Sequence, residues 1–113
     1  MAGYAELIVD KGTTFNSVIT IADETTGLAV NVSGYTFNSQ VRKSYYSVNS
    51  TATLVCTIND ASNGNISISM SNTVTGAISP GRYVYDVRMV DKNGAVTRVV
   101  EGIMTITPQV TVV

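Results

Sequence analysis

Turn-forming glycine and asparagine residues divide this chain into pieces of strand length, and this spacing strongly constrains its fold. Only two prolines occur in 113 residues, so the punctuation comes from Gly12, Gly27, Gly34 and the pairs Asn63-Gly64 and Asn93-Gly94. Turn signals at such short intervals are typical of an all-β sandwich or barrel. We predict strands near 5–10, 14–22, 35–43, 52–59, 64–70, 82–91 and 95–107, with a short one at 28–32 as an optional addition.

Alternation of apolar and polar side chains supports these strands. Tyr35, Phe37 and Val41 share one face of their segment, and polar residues share the other. The 44% hydrophobic content can fill a core, since a chain of this size buries roughly two thirds of its unfolded surface. We therefore predict a single domain, residues 1–113, folded as an all-β, immunoglobulin-like antiparallel β-sandwich of about seven or eight strands.

The stretch Asp91–Ala95 is the clearest local signal, because Asn93-Gly94 suits a two-residue type I′ hairpin loop. A three-residue loop would shift every pair. The two-residue loop predicts that Lys92 faces Ala95, Val87 faces Val100, Tyr85 faces Gly102, and Tyr83 faces Met104. On the opposite face, Asp86 lies across from Glu101, with Arg88 diagonally near Glu101.

Two further local patterns indicate how the strands are joined. Gly81-Arg82-Tyr83-Val84-Tyr85 resembles the opening of strand F in immunoglobulin domains, where a tyrosine ties the strand to the preceding loop. Tyr83 takes that place, and Tyr85 stands where a cysteine is usual. Upstream, Ser71 can cap a short helical turn near 71–77, which Pro80-Gly81 ends.

The residue types needed for common catalytic and metal sites are scarce. The chain has no histidine, which removes the usual general base and metal ligand, and Cys56 is its only cysteine. We interpret Cys56 as a buried small hydrophobe. We predict no catalytic residue, no cofactor, no metal site and no enzymatic activity.

Three acidic or amide clusters are the alternatives to this prediction. Asp23-Glu24 lies in a turn-like stretch where carboxylates are solvated, and the Asp86 and Glu101 pair is predicted on a solvent-facing hairpin. A calcium site would need clustered oxygens such as those of Asn59-Asp60 and Asn63. Turn chemistry explains that loop equally well.

Charge and hydropathy restrict the partners. Seven basic and eight acidic residues give a formal charge of −1 without a block of either sign, which argues against binding to nucleic acid or an anionic membrane. No run of eighteen apolar residues occurs, and the first residues lack the pattern of a signal peptide. With a single cysteine, these features predict folding in a reducing cytoplasm.

Two segments are candidate contact surfaces. Tyr45 and Tyr46 follow a basic pair near a strand end and could contact a ligand, although one of two adjacent strand residues should point inward. The apolar C-terminal stretch with Val110, Val112 and Val113 could add to the sheet edge of a neighbouring molecule. The alternative is an ordinary terminal strand of the same domain.

A family resemblance rests on a series of short motifs between about Phe15 and Thr111. They are Val30-Asn31-Val32-Ser33-Gly34-Tyr35, Arg42-Lys43, Gly64-Asn65-Ile66, Gly81 to Asp86, and Gly94 to Gly102. This order resembles small virion proteins of tailed bacteriophages and the N-terminal domain of phage baseplate upper proteins. Asn31 departs from the pattern, which has an aspartate there.

The resemblance implies a structural or adaptor protein of a tail, baseplate or fibre attachment. Such a protein would be assembled in the bacterial host cytoplasm, reside in the virion, and bind other virion proteins or copies of itself. The alternative to this structural role is a glycan-binding or adhesive module that uses Tyr45 and Tyr46.

Overall fold

Eight strands and one short helix make up most of this computed structural model, which describes residues 3–23 and 25–111. The elements are β1 (Gly3–Tyr4), β2 (Leu7–Asp10), β3 (Phe15–Thr20), β4 (Thr36–Arg42), β5 (Ala52–Asp60), β6 (Asn65–Met70), α1 (Asn72–Gly76), β7 (Gly81–Val90) and β8 (Val96–Thr107). The predicted all-β class is confirmed, and each of the seven main predicted strands has a counterpart. Residues 28–32 form no strand and contribute only an isolated bridge between Ala22 and Ala29.

The strands form two layers that share β5. The larger sheet runs in the order β1–β8–β7–β4–β5, with β2 also paired to β8, and the smaller sheet runs β5–β6–β3. Residues 52–54 of β5 pair with β4, and from Val55 onward β5 pairs with β6. A strand that passes from one sheet to the other in this way closes one side of a sandwich.

The N-terminal strands run parallel to β8, so the larger sheet is mixed within the predicted sandwich architecture. Leu7 lies beside Met104 and Asp10 beside Thr107. Parallel partners cannot be joined by a tight hairpin, and these two lie almost a whole chain apart. No local pattern in the sequence announces such a pairing.

The core lies between the two layers and draws on nearly every strand. Its buried apolar members are Val9, Ile21, Val32, Val41, Leu54, Ile66, Ile68, Met70, Ile78, Tyr83, Tyr85, Val87, Met104 and Ile106. Cys56 packs against this cluster only half-buried, and burial raises the pKa of its thiol. More buried residues alternate with more exposed ones along β3, β4 and β7, as the period-two pattern predicted, whereas β6 is buried on both faces from Ile66 to Ile68.

The helical turn predicted near 71–77 is confirmed as α1. Ser71 is its N-cap, and its hydroxyl accepts a hydrogen bond from the Val74 amide at 3.3 Å. The buried Thr75 donates its hydroxyl to the Thr13 carbonyl at 2.7 Å, which ties α1 to the segment before β3. The structure adds a 3₁₀ turn at Ala61–Asn63 that the sequence analysis did not predict.

Tyr83 forms the predicted corner at the start of β7. Its hydroxyl donates to the Ser79 carbonyl at 2.6 Å, four residues upstream, while its ring is buried in the core. The Lys43 ammonium lies 4.7 Å from the centre of that ring. The hydrogen bond from Tyr83 to Ser79 matches the tyrosine corner of immunoglobulin-like domains and fixes the loop that leads into β7.

The β7–β8 hairpin has the predicted register over most of its length but not the predicted turn. The Gly94 amide donates to the Asp91 carbonyl, and the Asp91 amide donates to the Ala95 carbonyl, so three residues form the loop. Gly94 has a φ of 86° and Asn93 does not enter the left-handed region, so the type I′ loop and the pair Lys92 and Ala95 are wrong. The Asp91 carboxylate accepts from the Asn93 and Ala95 amides and thereby stabilises the longer loop.

A β-bulge at Val99 cancels the one-residue shift in strand register that the longer loop introduces. Near the turn Arg88 lies opposite Arg98, but beyond the bulge Val87 lies opposite Val100. From that point the predicted pairs Tyr85 with Gly102 and Tyr83 with Met104 are confirmed. One extra residue on one strand of a pair is what such a bulge accommodates.

Gly102 allows the N-terminal chain to cross closely over β8. A Cβ atom at this position would lie 1.9 Å from the Ala5 carbonyl oxygen. That oxygen also accepts a hydrogen bond from the buried Tyr85 hydroxyl at 2.7 Å. Tyr85, Gly102 and Ala5 therefore lock the N-terminal segment onto the larger sheet.

We expect Gly102→Ala to lower the free energy of unfolding by ~1–3 kcal/mol, because its methyl group would overlap backbone that must then move. Chemical denaturation would measure the change. Gly3→Ala is the matched control on the same strand pair, since its Cβ would be 3.7 Å from the Val99 oxygen. Equal stabilities of the two variants would refute this account of Gly102.

Tyr85 should also make stability depend on alkaline pH. Burial, with a smaller contribution from Tyr4, raises the pKa of Tyr85 from 10.0 to about 12. Between pH 10 and about pH 12 the folded chain thus keeps the Tyr85 proton that the unfolded chain releases. The contribution of the protonated Tyr85 hydroxyl to stability is therefore complete below pH 10 and is lost as the pH rises towards 12.

Tyr85→Phe should therefore lower stability by about 1 kcal/mol at neutral pH and flatten its decline above pH 10. Denaturation curves between pH 7 and pH 12 would measure both effects. Tyr46→Phe, at a residue that is 95% exposed, should leave the curves unchanged. A Tyr85→Phe variant with the wild-type alkaline decline would contradict the assignment.

Candidate functional site

The outer face of the larger sheet collects all four arginines of the sequence, and we call it the arginine face. It is formed by outward side chains of β4, β7 and β8 and by two tyrosines at its rim. Its residues are Gln40, Arg42, Arg82, Val84, Asp86, Arg88, Arg98, Glu101 and Ile103, with Tyr4 and Tyr45 at the rim. A shallow depression lies over its centre, between Arg42, Tyr45 and Arg98.

Strand alternation and register place these side chains together. On β7, Tyr83, Tyr85 and Val87 point into the core, so the residues between them point outward. Gln40 of β4 lies opposite Asp86, and Arg42 lies opposite Val84. The strand β7 therefore runs along the middle of the arginine face.

Arg98 bridges the two carboxylates of this face. Asp86 and Glu101 are directly opposite each other, as predicted, and the Arg98 guanidinium contacts each of them at 3.2 Å. The hydrogen bond to Glu101 raises the pKa of Arg98, partial desolvation lowers it, and the charge of Asp86 raises it. The two carboxylates thus share one guanidinium partner.

The Val99 bulge explains why Arg98, and not the predicted Arg88, contacts Glu101. Without the bulge Val99 would face Arg88, and Arg98 would point towards the core. With the bulge Arg98 faces outward opposite Arg88, which itself approaches Asp86 at 3.5 Å. The predicted diagonal contact between Arg88 and Glu101 is replaced by this arrangement.

Arg42 holds the turn that carries the two predicted ligand tyrosines. Its guanidinium donates to the carbonyls of Ser47 and Val48, both at 2.9 Å, and to the Gln40 side chain at 2.8 Å. The turn is closed by the Ser47 amide, which donates to the Ser44 carbonyl at 3.1 Å. A charged side chain thus shapes the loop as well as the face.

Tyr45 and Tyr46 are both exposed, by 60% and 95%, so the expectation that one of them points inward is wrong. The strand β4 ends at Arg42, and the tyrosines lie in the turn beyond it, where the alternation of a strand no longer applies. Tyr45 lines the shallow depression of the arginine face. Tyr46 projects into solvent.

Tyr4 is a rim residue that the sequence analysis did not identify. It lies beside Glu101 because β1 runs parallel to β8, and it is 61% exposed. Partial desolvation raises its pKa, as do the nearby Glu6 carboxylate and Tyr45, whereas Arg82 lowers it. No signal in the sequence links Tyr4 to Tyr45, since only the parallel pairing brings them together.

The other polar candidates are occupied by local turn contacts. The Asp23 carboxylate accepts from the Thr25 and Thr26 amides, while its predicted neighbour Glu24 lies outside the described residues. In the loop considered for calcium, the side-chain amide of Asn63 donates to the Asp60 carboxylate at 2.8 Å. Within residues 3–23 and 25–111, no three His, Cys, Asp or Glu side chains are grouped as metal ligands.

The C-terminal segment, predicted as a contact surface, does not continue the sheet. Strand β8 ends at Thr107, the following residues to 111 form no strand, and Val110 is fully exposed. A terminal strand of the same domain is therefore not formed at 108–111. Val112 and Val113 lie outside the described residues.

A second exposed feature is the outer edge of β3. This strand ends the order of the smaller sheet, and in the described part of the chain no strand pairs with its other side. Val18, in the middle of β3, is 55% exposed. Also within the described ranges, no helix is long and apolar enough to cross a membrane.

Comparison with known proteins identifies a fold without a family. No protein-family model and no curated protein sequence matches the chain. The solved structures that resemble it include CopC from Methylosinus trichosporium OB3b, with 10% identity, a TM-score of 0.50, and coverage of 99% of this chain and 89% of that one.

Two other solved structures are similar over most of this chain. An internalin-like protein of Listeria monocytogenes has 18% identity and a TM-score of 0.46, with coverage of 94% of this chain and 28% of that one. AggA, the major subunit of aggregative adherence fimbriae type I from Escherichia coli, has 14% identity, a TM-score of 0.39, and coverage of 90% and 89%. At such low identities, the likeness to CopC supports the β-sandwich fold alone.

Proposed function

We propose that this protein is a non-enzymatic structural or adaptor protein of a bacteriophage particle, acting in a tail, baseplate or fibre attachment. It would assemble in the bacterial cytoplasm and reside in the virion, bound to other virion proteins and to copies of itself. The motif resemblance between about Phe15 and Thr111 supports a place in a bacteriophage particle. The lack of histidine supports a role without acid–base catalysis.

The open outer edge of β3 is the observation that carries the contact role. An edge strand presents unpaired backbone amides and carbonyls, which another extended chain can pair with. Natural edges are commonly protected by charged residues or proline, but β3 has the sequence Phe-Asn-Ser-Val-Ile-Thr with neither. The edge is thus suited to receive a strand.

The C-terminal segment has a composition that suits pairing as an added strand. The residues Gln109-Val110-Thr111-Val112-Val113 are uncharged and rich in β-branched side chains, and Val110 is fully exposed. Pairing of this segment with β3 of a second copy would bury Val110 near Val18. Self-association by this route would be heterologous, so it can extend beyond a dimer.

We expect the full chain, of 12.0 kDa, to self-associate at rising concentration and the variant without residues 109–113 to keep the mass of its own monomer. Val18→Lys should have the same effect, because a charge on the edge strand opposes pairing. Light scattering over a concentration series would measure the mass. Val48→Lys is the control, since Val48 is 90% exposed in a loop away from β3. A chain that stays monomeric at all concentrations would overturn self-association through this edge.

A glycan-binding or adhesive module is the second candidate function, and the exposure of both Tyr45 and Tyr46 favours it. Exposed tyrosine rings can stack on sugar rings, and the neighbouring Arg42 and Gln40 supply hydrogen-bonding groups at the depression. In this function the turn at 44–47 would be the contact surface.

For this candidate we expect binding to at least one member of a glycan panel, with at least a tenfold loss for Tyr46→Ala. Tyr46→Phe is the matched control, since it keeps the aromatic ring and should retain most of the binding. Isothermal titration with the bound glycan would measure both variants. A panel without any binder would remove this candidate and leave the particle role untouched.

A further inference from the structure

The arginine face differs in charge from the rest of the molecule. Its four arginines and two carboxylates, Asp86 and Glu101, give it a formal charge of +2 in a chain whose formal net charge is −1. Glu6 lies beside Tyr4 at the rim. The excess of positive charge is therefore local to one sheet face, which the even distribution of charge along the sequence conceals.

The arginines follow the direction of β7. Arg82 and Arg88 are six residues apart on the same side of this strand, a separation of roughly 20 Å at about 3.3 Å per residue. Arg42 and Arg98 lie on the two flanking strands, opposite Val84 and Arg88 respectively. Together the four guanidinium groups form a band about as long as six residues of an extended peptide.

The centre of this band contains an apolar pair beside the two carboxylates. Val84 and Ile103 lie opposite each other, both half-buried, with Arg82 on one side along β7 and Arg88 on the other. Tyr45 flanks the depression next to Val84. A segment lying along β7 would thus meet positive charge at both ends and, between them, the apolar Val84 and the Asp86 carboxylate, which Arg98 already contacts.

Two arginines of this face are exposed and have few contacts with carboxylates of the protein. Arg88 has a single contact with Asp86, at 3.5 Å, and its side chain is 53% exposed. Arg82 is exposed and forms no ion pair with any carboxylate in the described residues. A guanidinium group can bind a carboxylate through two parallel hydrogen bonds, so these two residues are suited to capture acidic side chains.

We propose that the arginine face docks an extended acidic segment of a partner protein, with acidic residues at both ends and an apolar residue near the middle. This proposal rests on the proposed function as a contact protein and names the chemistry of one partner. Carboxylates six residues apart in such a segment are separated by roughly 20 Å, which matches the separation of Arg82 and Arg88 along β7.

The same face is poorly arranged for nucleic acid. A nucleic-acid backbone carries closely spaced negative charge, and affinity depends on many phosphate contacts to cations. Here Asp86 and Glu101 lie at the middle of the band, and Arg98 is already engaged by both of them. A peptide with fewer charges and an apolar centre avoids that repulsion.

The test uses a capped nonapeptide with two glutamates at each end and a central valine flanked on each side by two serines, titrated into the full chain labelled for NMR. We expect shifts of the amide signals of β7 and of the arginine Nε–H signals, with weaker binding at higher salt. Arg82→Glu and Arg88→Glu should each weaken binding at least tenfold. Lys92→Glu, an equal charge change at the exposed hairpin tip, should alter it less than twofold.

Three outcomes would overturn the proposal. They are a peptide that shifts no signals on the arginine face, an equal loss of binding in Lys92→Glu, and tighter binding of a single-stranded oligonucleotide or sulfated oligosaccharide of the same charge. Thermal unfolding of each variant would confirm that its fold is intact. Light scattering of the Val18→Lys variant tests the β3 edge separately, so failure of either contact can be told from failure of the other.

Discussion

The pairing of β7 with β8 is the interaction on which the rest of this structure depends. It places Tyr83 and Tyr85 in the core, where one hydroxyl anchors the loop before β7 and the other anchors the N-terminal chain. Through Tyr85 and Gly102 the same pairing positions β1 and β2 on the edge of the larger sheet. The core, both ends of β7 and the N-terminal strands therefore all depend on one hairpin register.

A single extra residue in that hairpin also determines the surface chemistry. The bulge at Val99 turns Arg98 outward, where it contacts both Asp86 and Glu101 and joins the other three arginines. The ion pairs themselves are partly exposed, so each adds little to stability. Their importance lies in arranging charge on one face, which is a property relevant to binding a partner.

The two contact features lie on different sheets and have different chemistry. The outer edge of β3 is uncharged and offers backbone hydrogen bonds, whereas the arginine face offers fixed positive charge and a small apolar centre. The two proposed contacts use different strands, since β3 belongs to the smaller sheet and the arginine face to the larger one. The tyrosines of the turn after β4 add a third exposed surface at the rim of the arginine face.

The sequence by itself determined the strand segments, the capped helical turn, the tyrosine corner and the inward residues, because each depends on neighbours a few positions away. It also predicted the pairs from Val87 to Tyr83, even though its turn type was wrong. Only the tertiary structure decided the parallel pairing of β1 and β2, the outward turn of Arg98 and the exposure of both Tyr45 and Tyr46. These depend on contacts between distant segments, on one unpaired residue and on where a strand stops, and no periodic pattern in the chain records them.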